Sequence, residues 1–328
     1  MSAASANSQP PRNNGLDEGS AVRFRTYRAY GLLFRSSLAL PELFAADTAT
    51  PTTDRHPDVT ITIGPVPEHL DFPLRRGRLL EVDAEKFLLR VKDVGRFLVS
   101  RGNEIVIEPD AHATEHDVRV FLLGTCLGGL LHQRGFLVLH ASAIRIRRGA
   151  VLFAGESGAG KSTLLAEMLR REMPMMVDDV CAIRVVAGEQ PIVIPSYPRT
   201  RLWAATADKL SIDTTGLSRT RPNMDKYERQ VPDQFWDEEA PLVRIYHLAG
   251  PQGDDLSLRQ LSDIEAFQTV LENTYRRLLL VGATPSSKHF ELVTWTARST
   301  AVLRVVRPAN TFRLAELADL VMSDLEGS

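Results

Sequence analysis

The chain has only two cysteines, Cys126 and Cys181, in 328 residues, which excludes a disulfide framework and a zinc site built from thiolates. Two thiols in a chain of this size suit a reducing compartment, so a cytoplasmic protein is expected. A charge excess is missing too. The formal net charge of -2 supplies no basic field, so nucleic acid is not an expected partner. No long apolar run is present. The most apolar stretch, Val120 to Ala143, is interrupted by His132, Gln133 and Arg134, and reads as a buried helix followed by a buried strand instead of a membrane span. The opening residues, MSAASANSQPPRNNGLDEGS, lack the apolar core of a signal peptide, and residues 1–20 read as a disordered tail. Ser142 and Ser157 have no G-x-S-x-G context, which argues against a serine hydrolase. Among the histidines only His112 and His116 stand at ligand spacing, and with no third ligand they read as exposed surface.

What the chain does have is 44% apolar residues, enough for a substantial core. The stretch Tyr30 to Phe44 is apolar without clean periodicity, and residues 47–57, rich in Thr, Asp and Pro, read as a loop. Alternation predicts strands at Asp58–Ile63, Leu79–Val82, Phe87–Val91, Phe97–Val99 and Ile105–Ile107, with short turns suggesting an antiparallel meander. From Glu115 to Gln133 the period becomes helical, although Gly124, Gly128 and Gly129 weaken it. Strands are expected at Phe136–Ile146 and Ala150–Ala154, then a helix at Ser162–Arg171 and strands at Met175–Val177, Val180–Val186 and Ile192–Ile194. Helices over Ile264–Leu279 and Thr311–Leu325 flank a strand at Val302–Val306. The parse is a β-rich α+β N-terminal region, 21–134, followed by an α/β nucleotide-binding domain, 135–328.

One segment carries chemistry directly. Gly155-Glu156-Ser157-Gly158-Ala159-Gly160-Lys161-Ser162 matches the phosphate-binding loop G-x-x-x-x-G-K-[ST] completely. Its glycines let the backbone curl so that successive N–H groups point at phosphate oxygens. Lys161 is placed to reach the β- and γ-phosphates, and the Ser162 hydroxyl to hold Mg²⁺. The loop follows the apolar strand VLFA and precedes the apolar helix of Leu164, Leu165, Met168 and Leu169, the setting the motif requires.

Downstream, Met175-Met176-Val177-Asp178-Asp179 is an apolar strand ending in two carboxylates. One carboxylate in such a place holds Mg²⁺, and the second can take a proton from an attacking hydroxyl; a solvated turn fits the same residues. His140, on the strand before the loop's own strand, reads by itself as a hydrogen-bonded core histidine.

Taken together, His140-Ala-Ser-Ala-Ile, GAVLFAGESGAGKST and MVDDV resemble the catalytic domain of the HPr kinase/phosphorylase family. Asp178 stands seventeen residues after Lys161, the close spacing of that family. The resemblance runs from about His140 to Val180. The N-terminal Tyr30-Gly-Leu and Leu40-Pro-Glu-Leu are similar to divergent members resembling lasso-peptide precursor kinases.

The resemblance implies an α/β P-loop kinase domain of HPr-kinase type with a mixed sheet, using ATP and Mg²⁺. It assigns nucleotide binding to Gly155, Glu156, Ser157, Gly158, Ala159, Gly160, Lys161, Ser162 and Thr163, and metal binding to Ser162 and Asp178. Asp179 is the implied base, with Asp178, Lys161 and His140 completing the catalytic set. A homo-oligomer is consistent with the family. The family's L-E-I-R-G-L-G signature is replaced here by Pro195-Ser-Tyr-Pro-Arg-Thr-Arg-Leu-Trp203, and its metal-binding glutamate has no match, so neither phosphorylase activity nor HPr recognition is implied.

The leading expectation is a kinase acting on the serine of a peptide or small protein. A nucleotide-responsive regulator and a small-metabolite kinase are the alternatives. Substrate is expected to dock on the β-rich region or on loops at Arg199–Trp203 and Asn223–Arg229, with Lys226 and Arg229 read as solvated.

Overall fold

The computed structural model describes residues 23–46, 56–221, 224–250, 255–283, 286–308 and 313–327. The expected tail, 1–20, and residues 47–55 of the expected loop lie outside these.

The N-terminal region is a nine-stranded mixed sheet. Its first hairpin, Arg25–Ala29 with Leu32–Ser36, was hidden in a stretch without clean periodicity. The hairpin turns at Tyr30 and Gly31, both left-handed (φ 53° and 67°), the conformation that matches the twist of the flanking strands. Leu32–Ser36 pairs in parallel with Val59–Ile63, which pairs in parallel with Glu104–Pro109. From there Gly95–Ser100, Lys86–Val91, Leu80–Val82 and Arg75–Arg76 follow as the expected antiparallel meander.

A helical stretch crosses this sheet. A capping box of Thr114 and Asp117 starts Glu115–Phe121, a π-helical turn occupies Leu122–Cys126, and Leu127–Gln133 completes it. Two of the glycines that weaken its sequence signal are there for close approach. A Cβ on Gly128 would lie 2.5 Å from Tyr275, and one on Gly129 would lie 2.3 Å from Phe87.

The second sheet is also mixed. The strand Gly149–Ala154 is flanked by Leu137–Ile146, antiparallel, and by Ala240–Leu248, parallel; Ala301–Val306 extends the parallel part. The pairings continue from Leu137–Ile146 through Val180–Arg184 and Ile192–Ile194 back to Ala240–Leu248, so the strands close on themselves. One face packs on helices Asp263–Glu272 and Ser286–Ser299, the other on Lys161–Arg170 and Leu314–Glu326. No helix among the described residues is long and apolar enough to cross a membrane.

Several elements differ from expectation. The expected helix Ile264–Leu279 ends at Glu272, and Leu278 is exposed, because Asn273 to Tyr275 leave the helix to bond strand Leu137–Ile146. The closing helix is Leu314–Glu326; Thr311 and Phe312 lie outside the described residues. The segments expected as substrate-docking loops are strands: Arg199–Trp203 pairs antiparallel with Met224–Gln230, and Arg219–Arg221 adds a third. Their dense Arg, Lys and Glu pair across the strands, which removes the apolar alternation a sequence reading depends on. Asn223 lies outside the described residues.

Candidate active site

The glycine-rich loop leaves the sheet at Ala154 and enters helix Lys161–Arg170. Gly155, Gly158 and Gly160 have φ of 151°, 87° and 96°, values open to glycine and strained for other residues. A Cβ on Gly155 would sit 2.6 Å from the Leu248 carbonyl, whereas one on Gly158 would meet nothing within 4 Å, so the centre of the loop faces open space. Lys161 is buried, and its Nζ donates to the Gly155 and Glu156 carbonyls at 2.7 and 2.9 Å. Burial pushes its ammonium down to about 8, against the opposing pull of Asp179 and Asp178. The Thr163 hydroxyl is engaged with Thr206 at 3.1 Å, on helix Ala204–Lys209.

Asp178 is the hub of the site. Its Oδ1 accepts from Ser162 Oγ at 3.0 Å and from Ser142 Oγ at 2.8 Å; its Oδ2 accepts from Thr200 Oγ1 and the Arg201 N–H, both at 2.9 Å. Ser162 Oγ and Asp178 Oδ1 thus sit together beside the glycine-rich loop. An all-oxygen set of this kind suits Mg²⁺, which keeps several waters and takes few protein ligands. The Thr200 and Arg201 donors fix the carboxylate's far oxygen and leave Oδ1 toward the loop.

Asp179 interrupts the strand. Met175–Val177 and Val180–Arg184 both pair with Leu137–Ile146, and between them Asp179 takes φ 84°, a conformation that costs a non-glycine residue about 1–3 kcal/mol. The turn separates the two carboxylates. Asp178 faces the loop serine, and Asp179 lines the adjoining cleft, with Oδ1 3.0 Å from His140 Nδ1 and Oδ2 3.2 Å from Arg201 Nη1. Burial opposes its ionisation, yet the His140 hydrogen bond and the charges of His140, Arg201 and Lys226 hold it well below the usual carboxylate range. His140 is therefore half-exposed beside Asp179, and not the enclosed core histidine that its strand suggests in isolation.

The cleft has a volume of about 1150 Å³. The loop forms one side. Helical residues Phe121, Gly124 and Thr125 form another, so the N-terminal region contributes to the cleft. Lys226, expected as solvated, lines it as well, with Nζ 5.7 Å over the Trp203 ring. Arg201 lines it with Nη2 buried and without a hydrogen-bond partner. From sequence, Thr200 and Arg201 read only as part of a docking loop, and Ser142 only as a serine without hydrolase context; none of them read as a partner of the Asp pair. Their only signal is that they flank or face the Asp pair across strands, which no local pattern reports.

The histidine pair at helical spacing leads elsewhere. His116 Nε2 lies 2.9 Å from the Arg219 carbonyl, and His116 comes together with Glu42 and Glu228 in a group whose candidate ligand atoms lie within 4.8 Å. Glu42 pairs with Arg119 at 2.8 Å, and Glu228 with Arg199 and Arg201 at 3.1 Å. Three guanidiniums around two carboxylates make this an ion-pair network, unfavourable for a further cation. Both cysteines are free and buried, and burial pushes both thiols well above their usual range.

No family model matches the chain, and no curated protein matches it. Among solved structures, it is similar to the HPr(Ser) kinase/phosphatase from Coxiella burnetii, at 15% identity over 58% of this chain and 93% of that one, with a TM-score of 0.32.

Proposed function

We propose that this chain is an ATP- and Mg²⁺-dependent kinase that transfers the γ-phosphate to a serine hydroxyl of a peptide or small protein. The observation that supports it most is the pairing at the loop's end: Ser162 and Asp178 share a hydrogen bond, while the adjacent Asp179 opens onto a cleft large enough for a second reactant. A nucleotide-binding regulator needs the loop alone. It has no use for a second carboxylate held in a strained conformation beside a histidine and an arginine.

The loop N–H groups and the helix N-terminus cradle the phosphates. Lys161 exchanges its two carbonyl partners for phosphate oxygens. Ser162 and Asp178 would hold Mg²⁺, which would supply neutralisation of phosphate charge. Asp179 accepts the hydrogen bond of the acceptor hydroxyl and aligns its oxygen for in-line attack. As the new O–P bond forms and the bond to ADP breaks, the hydroxyl proton passes to Asp179. Its depressed pKa makes it a weak base, which suits a loose transition state in which the proton leaves late. His140 and Arg201 fix the Asp179 carboxylate.

The test is incubation with γ-labelled ATP, Mg²⁺ and a panel of serine-containing peptides. Label on a peptide, lost in Lys161→Ala and Asp179→Asn, supports the kinase reading. Tight, Mg²⁺-dependent nucleotide binding with no transfer to any peptide would replace it with a nucleotide-responsive regulator or a small-metabolite kinase.

A further inference from the structure

The arrangement of cations in the cleft separates into two groups. Strand order places Arg304 and Arg307 on one side of the phosphate loop, at the ends of the parallel strands, with Arg307 Nη1 3.4 Å from where a Gly160 Cβ would be. The opposite side is different. Where Gly149–Ala154 leaves strand Leu137–Ile146 at Ala141, the segment Asn273–Tyr275 takes over the same run of pairing, with His140 N–H donating to Asn273 and Tyr275 N–H to Val138. This presents Arg276 and Arg277 to the cleft beside His140, whose ring lies 6.1 Å from that of Tyr275. Lys226 reaches the same space from the three-stranded sheet, close enough to pull down both Asp179 and Lys161.

These side chains differ from Arg199 and Arg201 in their pairing. Arg199 and Arg201 share Glu228, and Arg201 also holds Asp179. Lys226, Arg276 and Arg277 form no ion pair with any described carboxylate; Lys226 rests on Trp203, and Arg276 on Tyr275. Arg276 also takes φ 42°, an uncommon backbone conformation for a non-glycine residue, and lines the cleft. The phosphate loop, Lys161 and the arginines on the far side already answer the charge of a nucleotide. The second group, on the side where Asp179 opens and outnumbering the single carboxylate Glu272 that lines the cleft there, offers a place for another anion.

We propose that the acceptor is an acidic peptide: the serine it offers is flanked by carboxylates that Arg276, Arg277 and Lys226 engage, orienting the hydroxyl toward Asp179. This rests on the kinase reading and adds the substrate class to it. Charged side chains at such a site steer the encounter and fix register, so the preference is expected in both affinity and rate.

The experiment uses three synthetic serine peptides of identical length, with Asp/Glu, Asn/Gln or Lys/Arg around the serine. Each is assayed for binding by fluorescence anisotropy and for label transfer from ATP. The acidic peptide is expected to bind about tenfold or more tighter than its amide counterpart, with the basic peptide weakest. Arg276→Gln/Arg277→Gln is expected to erase that preference while ATP affinity stays unchanged, and Arg276→Glu/Arg277→Glu to shift it toward the basic peptide. Both residues are exposed, so the variants are expected to fold. Equal binding of the three peptides, or a preference that survives in the double Gln variant, would overturn the proposal. Preferential binding of the acidic peptide without transfer would uphold the anion-binding wall and count against the kinase reading, which keeps the two failures apart.

Discussion

Lys161, Asp178 and Asp179 show how far single residues could be read from sequence. The loop lysine was legible because its motif is contiguous, and the Asp pair because it ends an apolar strand. What the residues do to each other was not legible. Burial lowers Lys161 from its ordinary 10.5 to about 8, and the sign of the consequence is fixed. Between these values the unfolded chain holds the proton more tightly, so Lys161's contribution to the stability of the nucleotide-free protein rises with pH across that window. Phosphates favour the charged ammonium, so nucleotide affinity is expected to be flat below about pH 8 and to weaken above it, with net proton uptake on binding. Calorimetry in buffers of different ionisation enthalpy checks this, and Lys161→Met should abolish the uptake. Asp179→Asn keeps the shape of the site and removes the proton acceptor. It is expected to lower transfer by about 10²–10⁴-fold with nucleotide affinity little changed, measured by single-turnover transfer alongside equilibrium binding.

At the scale of elements, periodicity found most of the strands and helices but missed those whose side chains pair by charge. Strands Arg199–Trp203 and Met224–Gln230 read as loops because Thr200 faces Arg229, Arg201 faces Glu228 and Trp203 faces Lys226, pairs that leave little apolar alternation. The central strand Ala240–Leu248 was missed for another reason: Arg244, Tyr246 and His247 interrupt its apolar run, Arg244 and Tyr246 being satisfied by Asp324. Glycines misled in the helix Leu127–Gln133, where they allow contact and do not mark a break. Gly129→Ala should drive a methyl into Phe87 and destabilise the protein by about 1–3 kcal/mol, read from a denaturant melt. In the meander, the buried Glu81 carboxylate meets His69 Nδ1 at 2.7 Å, the Leu70 N–H at 2.8 Å and Arg90 Nη1 at 2.8 Å. Burial opposes its ionisation, but these partners hold it at about 2, below its ordinary 4.5. Its contribution is therefore complete above 4.5 and lost as pH falls toward 2. Glu81→Gln should flatten the acid limb of the stability–pH profile in that range.

For the whole molecule, the sequence suggests a boundary at residue 134, and the packing runs across it. One core cluster joins Phe34, Phe87 and Ile105 of the first sheet to Leu122 and Leu130 of the helix and to Val138, Val180 and Tyr197 beyond it. The Tyr30 hydroxyl donates to the Val180 carbonyl at 3.0 Å, one residue from Asp179. A fragment of residues 135–328 would expose that apolar face, so it is expected to aggregate or to lose cooperative unfolding, which expression and calorimetry of the fragment would reveal. The N-terminal region thus supports the site as well as lining its cleft. The central claim is that Ser162 and Asp178 make the phosphate loop a Mg²⁺–nucleotide site, and its most direct test is an ATP titration with and without Mg²⁺ in the wild type, Ser162→Ala and Asp178→Asn. Affinity that tightens about tenfold or more with Mg²⁺ in the wild type, and loses that dependence in both variants, is the expected result. Affinity indifferent to Mg²⁺ in the wild type, or equally Mg²⁺-dependent in the variants, would contradict it.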